Sequence, residues 1–176
     1  MKHDAYNDDY IADILRRAKA VAMIGASGNS SRPSYFVLKY LLAKGYRVVP
    51  VNPGLAGHQI LGQDVAATLA EVPGPVDVVD IFRNSQAALE ITREAIRLKD
   101  KLGIEVIWMQ LGVRNDEAAA EAEAAGLKVV MNRCPKIEYG RLSGEIGWAG
   151  VNSRMISSVR PKLSPSGVQD HRLGDK

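Results

Sequence analysis

Five short apolar runs, Val21 to Ile24, Arg47 to Val51, Val76 to Phe82, Ile104 to Met109 and Leu127 to Met131, recur along the chain with helical periodicity between them. This alternation constrains the fold more than any other feature. A run too apolar to leave one face in water belongs in a sheet covered on both faces, and helices placed between successive strands supply the cover through right-handed crossovers. The third run carries the argument best, because in Val76-Asp77-Val78-Val79-Asp80-Ile81-Phe82 only the two aspartates are polar. Asp77 is expected near solvent at the start of the strand. Asp80 is expected nearer its carboxyl end and on the same side. The fold class is α/β, with an open, mainly parallel sheet of five or more strands in a three-layer sandwich.

The connecting segments agree with this reading. A first helix is expected from Asp8 or Asp9, with Ile11, Ile14, Leu15 and Ala18 on one side. The second spans Pro33 to Lys44, capped by Ser31, with Pro33 in its first turn and Val37, Leu38, Leu41 and Leu42 as its apolar stripe. Residues 54–64 read as a loop, and a short helix is expected from Asp64 to Glu71. A long helix follows from Ser85 to Lys101, and another, capped by Asn115, runs through an alanine-rich segment to Ala125. After Arg133-Cys134-Pro135 the pattern weakens, so residues 136–156 are expected to be irregular or to form a short helix. One domain over 8–156 with a flexible tail over 157–176 is the expected organisation, and Trp148 and Met155 offer a contact to a second copy or another protein partner.

Charge narrows the range of partners. Lys and Arg number 23 against 20 acids, a formal charge of +3 with the signs interspersed, which gives no basic stripe for nucleic acid. No eighteen-residue apolar run suits a membrane span. With Cys134 as the single cysteine, no intramolecular disulfide can form, and a reducing, cytoplasmic setting is expected.

In an open parallel sheet the ligand crevice lies beyond the carboxyl ends of the strands. The first strand runs into Gly25-Ala26-Ser27-Gly28 and then a helix. Turn amides and the positive end of a helix converge there on an anionic group, so a phosphate site is expected. A dinucleotide fingerprint would need Gly-x-Gly-x-x-Gly and an acid ending the second strand. The chain instead has Gly25 and Gly28, and Val51-Asn52-Pro53 at the strand end, which leaves NAD(P) binding as a secondary alternative.

Five segments in order, VAMIGASGNSSRPSY, YRVVPVNP, ILGQDV, PVDVVDIFR and VIWMQLGVRNDEAAAEAEAAGLKVVMNRCPKIE, resemble the small bacterial CoA-binding proteins related to the N-terminal CoA-binding domain of the succinyl-CoA synthetase alpha subunit. The resemblance covers Ile11 to Leu142 and implies a Rossmann-like fold that binds coenzyme A, with acyl-CoA also admissible. It implies that Gly25, Ala26, Ser27, Arg32, Pro33 and Ser34 surround the phosphates. Asn52 and Pro53 would border the adenosine, and Val79 to Arg83, including Phe82 and Arg83, together with Gln110 to Gly112 would flank the pantetheine or the site mouth. Relatives often carry a basic residue after the Asn-Pro pair, suited to the 3′-phosphate; here Gly54 stands there, and Lys44, Arg47 or His58 are the nearby substitutes.

Catalytic machinery is sparse in the sequence. Cys134 follows the last strand and is expected to face the crevice, either as a small buried hydrophobe or as a thiol able to exchange with a ligand thiol. His3, His58 and His171 are scattered, and no metal set is expected from them. Asp80, Arg83, Arg133, Lys136 and Glu138 are expected to form a polar group at the strand ends. The synthetase relatives use a phosphohistidine supplied outside this small domain. The expected role is therefore a carrier, sensor or regulator of coenzyme A, with a small acyl-CoA-dependent enzyme as the alternative.

Overall fold

The computed structural model describes residues 2–145 together with residues 165, 167, 168, 172 and 173. In chain order the elements are α1 (Asp8–Arg17), β1 (Ala20–Ile24), α2 (Pro33–Ala43), β2 (Arg47–Val51), β3 (Gln59–Ile60), β4 (Gln63–Asp64), β5 (Val78–Ile81), α3 (Ser85–Leu102), β6 (Val106–Met109), α4 (Asp116–Ala124), β7 (Lys128–Val130) and α5 (Pro135–Leu142). Five of the strands form one sheet in the order β2-β1-β5-β6-β7, every neighbouring pair parallel. The α/β three-layer architecture expected from the sequence is present.

Alternation along the strands sends side chains to two cores. On one face Val21, Met23, Val48, Val78, Val106 and Trp108 pack with Ile11, Ile14 and Leu15 of α1, Val37, Leu38 and Leu41 of α2, and Tyr139 of α5. On the other, Ala22, Val79, Ile81, Ile107 and Met109 pack with Ala88 and Ala95 of α3 and Ala118 and Ala122 of α4. Small residues on α3 and α4 let those helices lie close to the sheet and to each other. Met23, Asp80 and Trp108 share one row of the register, which places a carboxyl group in the middle of the first core.

Helix ends follow the asparagines. The side chains of Asn7, Asn84 and Asn115 accept hydrogen bonds from backbone N–H groups in the first turns of α1, α3 and α4, satisfying donors that helix geometry leaves without partners. Gly103, at φ +77°, closes α3 in the left-handed conformation. At α2 the expected cap does not form. Arg32 is the N-cap residue and makes no side-chain cap bond, because the Ser31 hydroxyl is engaged by Asn29 Oδ1 at 2.7 Å.

Two other expectations are corrected. The short helix over Asp64 to Glu71 is replaced by an antiparallel hairpin of β3 and β4, a bridge from Ala66 to Val51, and a single 3-10 turn at Leu69–Glu71. Leu61 and Gly62 both take positive φ and turn the chain between β3 and β4, so residues 54–64 are also more ordered than a plain loop. Asp77 does not share a side with Asp80, since residues three apart on a pleated strand point to opposite faces. It precedes β5, where its Oδ2 accepts from the backbone N–H groups of Lys19 at 2.6 Å and Ala20 at 2.8 Å. The expected contact residues Trp148 and Met155 lie outside the described residues.

The Asp77 carboxylate thus fastens the start of β1 to the start of β5. Asp77→Ala leaves two strand-end N–H groups without their acceptor and should lower stability by about 1–3 kcal/mol. Asp100→Ala, at a side chain 96% exposed, should change it by less than about 0.5 kcal/mol. Urea unfolding midpoints of the two variants make the comparison.

Candidate functional site

β1 is where the strand order reverses: the chain leaves β1 for β2 on one side, and the later strands build outward from β5 on the other. Loops leaving the carboxyl ends of β1 and β5 therefore diverge and open a crevice. Gly25 sits at its base with φ +86°, and a Cβ there would lie 2.9 Å from both the Phe82 carbonyl oxygen and Arg83 Cδ. Only glycine allows this backbone turn and this close approach together. The Phe82 N–H donates to the Ile24 carbonyl at 2.8 Å, and the Gly25 N–H to the Val51 carbonyl at 2.9 Å.

Asn52 ties in the third loop. Its Nδ2 donates to the Ala26 carbonyl at 2.7 Å, and its Oδ1 accepts from the Gly54 N–H at 2.9 Å. The loops after β1, β2 and β5 are thus mutually braced. Of the residues expected around the phosphates, Ala26 and Ser34 are buried, Gly25 and Ser27 are half-buried, and Arg32 and Pro33 are exposed at the start of α2. Pro53 is exposed beyond Asn52. Gly112 is exposed too, and its N–H donates to Asn132 Oδ1.

Beside this brace lies a cleft of about 470 Å³, lined by Pro33 and Phe36 from α2, Phe82 and Arg83 after β5, Gln110 and Leu111 after β6, and Cys134, Lys136 and Ile137 around the start of α5. Of the expected site residues it gathers Pro33, Phe82, Arg83 and Gln110, whereas Gly25 and Asn52 reach it through the braced loops. Four large hydrophobic residues are exposed among those described, and three of them, Phe36, Leu111 and Ile137, line this cleft. Sequence reasoning missed Phe36 and Ile137. The signal for Phe36 was present: it is a large apolar residue that falls off the buried stripe of α2.

Polar groups divide between floor and rim. Asp80 is 1% exposed, and its two carboxylate oxygens accept from Gln110 Nε2 at 2.9 and 3.0 Å. Burial pushes its carboxyl up to about 7, with the Gln110 hydrogen bond pulling the other way. The expected cluster of Asp80, Arg83, Arg133, Lys136 and Glu138 does not form as one group. Glu138 instead pairs with Arg141 at 2.8 Å and with Arg133 at 3.7 Å. Arg83 and Lys136 stay on the cleft rim, and no ion pair holds either of them, or Arg32, among the described residues.

Cys134 is buried and borders the cleft. Desolvation pushes its thiol above the ordinary value, while the N–H groups of Ile137 and Lys136 pull it down. His3 lies against Tyr6 and Glu123, His58 is exposed after β2, and His171 is outside the described residues. No group of three or more His, Cys, Asp or Glu among the described residues could hold a metal ion. The charge expected from Lys44 or Arg47 is at the wrong end. Lys44 pairs with Glu145 below Tyr40 and Tyr139, and Arg47, opening β2, donates to the carbonyls of Pro73 and Pro75. His58 alone of the three follows the carboxyl end of β2.

Residues 19–140 match the family described as CoA binding domain. An uncharacterized Bacillus subtilis (strain 168) protein, YneT, is 33% identical over 129 residues, which cover 73% of this chain and 91% of that one. A solved structure of a hypothetical protein from Pyrococcus horikoshii OT3 is 37% identical with a TM-score of 0.73, covering 81% of this chain and 96% of that one. The fold also recurs in a dinucleotide-forming acetyl-coenzyme A synthetase from Ca. Korarchaeum cryptofilum, at 22% identity and TM-score 0.54, over 65% of this chain and 26% of that one. Among the described residues no helix is long and apolar enough to cross a membrane.

The approach of Gly25 to the β5 loop makes that position intolerant of any side chain. Gly25→Val combines a disallowed backbone conformation, about 1–2 kcal/mol, with a clash against backbone. It should lower the denaturation midpoint well beyond what Gly28→Ala does, since a Cβ at Gly28 meets only Ile60 at 3.9 Å.

Proposed function

The chain belongs to the CoA-binding domain family, and on that premise we propose that its crevice binds coenzyme A or an acyl-CoA and that the protein acts as a carrier, sensor or regulator of that ligand. The observation that carries this reading is the apolar cleft with cations at its rim that no ion pair holds among the described residues. A CoA-type ligand has two unlike ends. Its phosphates call for N–H groups and cations, which the Gly25 turn, Arg32 and Arg83 provide, and its pantetheine arm calls for an apolar trough with few polar partners. Phe36, Phe82, Leu111 and Ile137 supply the trough, and Gln110 supplies a polar partner. The same surface suits an acyl group at the end of the arm.

Asn52 argues against a dinucleotide. An NAD-type ribose calls for a carboxylate at the end of β2, whereas Asn52 spends its amide on the Ala26 carbonyl and the Gly54 N–H. Cys134 has its thiol held up by burial and no histidine bonded to it among the described residues, which favours a binding role over nucleophilic catalysis. In a reducing cytoplasm it stays a thiol.

Titration calorimetry with coenzyme A, dephospho-CoA, ATP and NAD separates the phosphate, pantetheine and dinucleotide contributions. Coenzyme A should bind most tightly. Tight NAD binding with no heat from coenzyme A would reverse the assignment. Arg32→Ala should remove a charge-assisted phosphate contact and weaken coenzyme A by about 1.5–3 kcal/mol, roughly tenfold to a hundredfold. Cys134→Ser should leave reversible affinity unchanged within about threefold, and robust acyl-CoA turnover lost in that variant would identify an enzyme instead.

A further inference from the structure

A glutamine side chain can present either a donor or an acceptor to a ligand, and at ordinary resolution nothing in its shape says which. At Gln110 the choice is made by its neighbour. An ionised carboxylate is an acceptor only, so Asp80, which meets the amide at 2.9 and 3.0 Å, can hold only Nε2. The carbonyl oxygen Oε1 is left with no hydrogen-bond partner among the described residues. Nor is it sealed away, since the only enclosed side-chain atoms lacking a hydrogen bond among the described residues are His3 Nε2 and Thr92 Oγ1. Gln110 is itself 94% buried, being 6% exposed, and lines the cleft. A buried amide acceptor is thereby presented to a cleft that Phe36, Phe82, Leu111 and Ile137 make largely apolar.

We propose that Asp80 is a positioning residue for the amide-bearing arm of the ligand: its carboxylate holds the Gln110 amide nitrogen and so presents the Gln110 carbonyl oxygen to the cleft as the acceptor for a ligand N–H. This rests on the coenzyme A reading, because the pantetheine arm is the part of that ligand that carries secondary amides. Protonation of Asp80 reverses the arrangement. The new carboxyl proton is a donor, and Gln110 Oε1 is the acceptor within its reach, so acid and amide close into a mutual pair and the oxygen is withdrawn from the ligand.

The surroundings of Asp80 leave it as the group that titrates here. β1 and β6 bring Met23 and Trp108 against it, and the small void beside it is bordered by Leu15 of α1, Ala18 just after that helix, Leu41 of α2, and Pro135 of α5. Tyr46 also borders that void, but its hydroxyl donates to the Leu15 carbonyl and burial drives its ionisation far into alkali. Cys134, at the start of α5, has its thiol raised and stays neutral with it. Arg83 and Lys136 line the cleft as its cations. With Asp80 pushed up to about 7, the interval between pH 6 and 8 spans its change of state.

The test is a ratio of affinities. Kd is measured by calorimetry at pH 6, 7 and 8 for coenzyme A and for the β-methyl ester of adenosine 3′-phosphate 5′-diphosphate, which has the same adenine, 3′-phosphate and doubly esterified diphosphate but no amide arm. Dividing one by the other cancels titration of the 3′-phosphate, the phosphate of either ligand that changes charge in this range. In the wild-type protein the advantage of coenzyme A should fall roughly tenfold from pH 8 to pH 6. Asp80→Asn, which cannot titrate, should make the ratio flat, and Gln110→Met should reduce it at every pH while leaving the affinity for the methyl ester in place. A wild-type ratio that does not change with pH, or an Asp80→Asn protein that keeps the slope, overturns the proposal. Should coenzyme A fail to bind at all, the function proposed above falls, and this inference falls with it. The wild-type profile decides the matter even if a variant does not fold.

Discussion

The crevice of this molecule depends on the reversal of strand order about β1. Parallel strands oblige the chain to return over a face of the sheet after each one, and the crossovers have a fixed hand. When successive strands are added on the same side, the returning helices follow one another and the loops at the strand ends close ranks. At β1 the direction changes, α2 covers one face, and α3, following β5, covers the other. The gap between those two departures cannot be filled by either helix. Gly25, Phe82 and Arg83 stand at its base because they directly follow two paired strands whose loops diverge.

Placing Asp80 in that neighbourhood works against stability. A carboxyl group whose folded value lies near 7 is favoured in its neutral form by folding. Unfolded chains lose that proton near pH 4, so stability falls as pH rises from there to about 7 and is level beyond. The loss is on the order of 4 kcal/mol. An apolar residue between Met23 and Trp108 would avoid it. The two cores around the sheet are extensive enough to carry the penalty, and a charge next to the cleft is the return.

Much of the fold was legible because its signals are local. Each apolar run is dense enough to need cover on both faces, and Asn115 marks a helix start through its own side-chain chemistry. What misled the reading was also local. The segment after Asp64 has helical composition, but Leu61 and Gly62 turn the chain through positive φ and Ala66 bridges to Val51, a tertiary pairing with no signature in the window itself. Ser31 has the right chemistry for a cap and loses it to Asn29. The strand-end loops could be assigned to one rim from topology. Which side chains meet across that rim could not: Asp80 was grouped with cations and instead faces Gln110, and the apolar lining from Phe36 and Ile137 emerges only once α2 and α5 are placed side by side.

The closeness of Gly25 to the Phe82 carbonyl and Arg83 has a mechanical meaning. With no side chain between them, the turn after β1 and the loop after β5 share a wall with no slack, and Asn52 fastens the β2 loop to the same turn. A group pressing on the turn displaces the loop that carries Arg83 into the neighbouring cleft, and a group filling that cleft bears back on the turn. On the coenzyme A reading proposed above, the two halves of the ligand would meet one stiff body, and filling either half would alter the cost of filling the other.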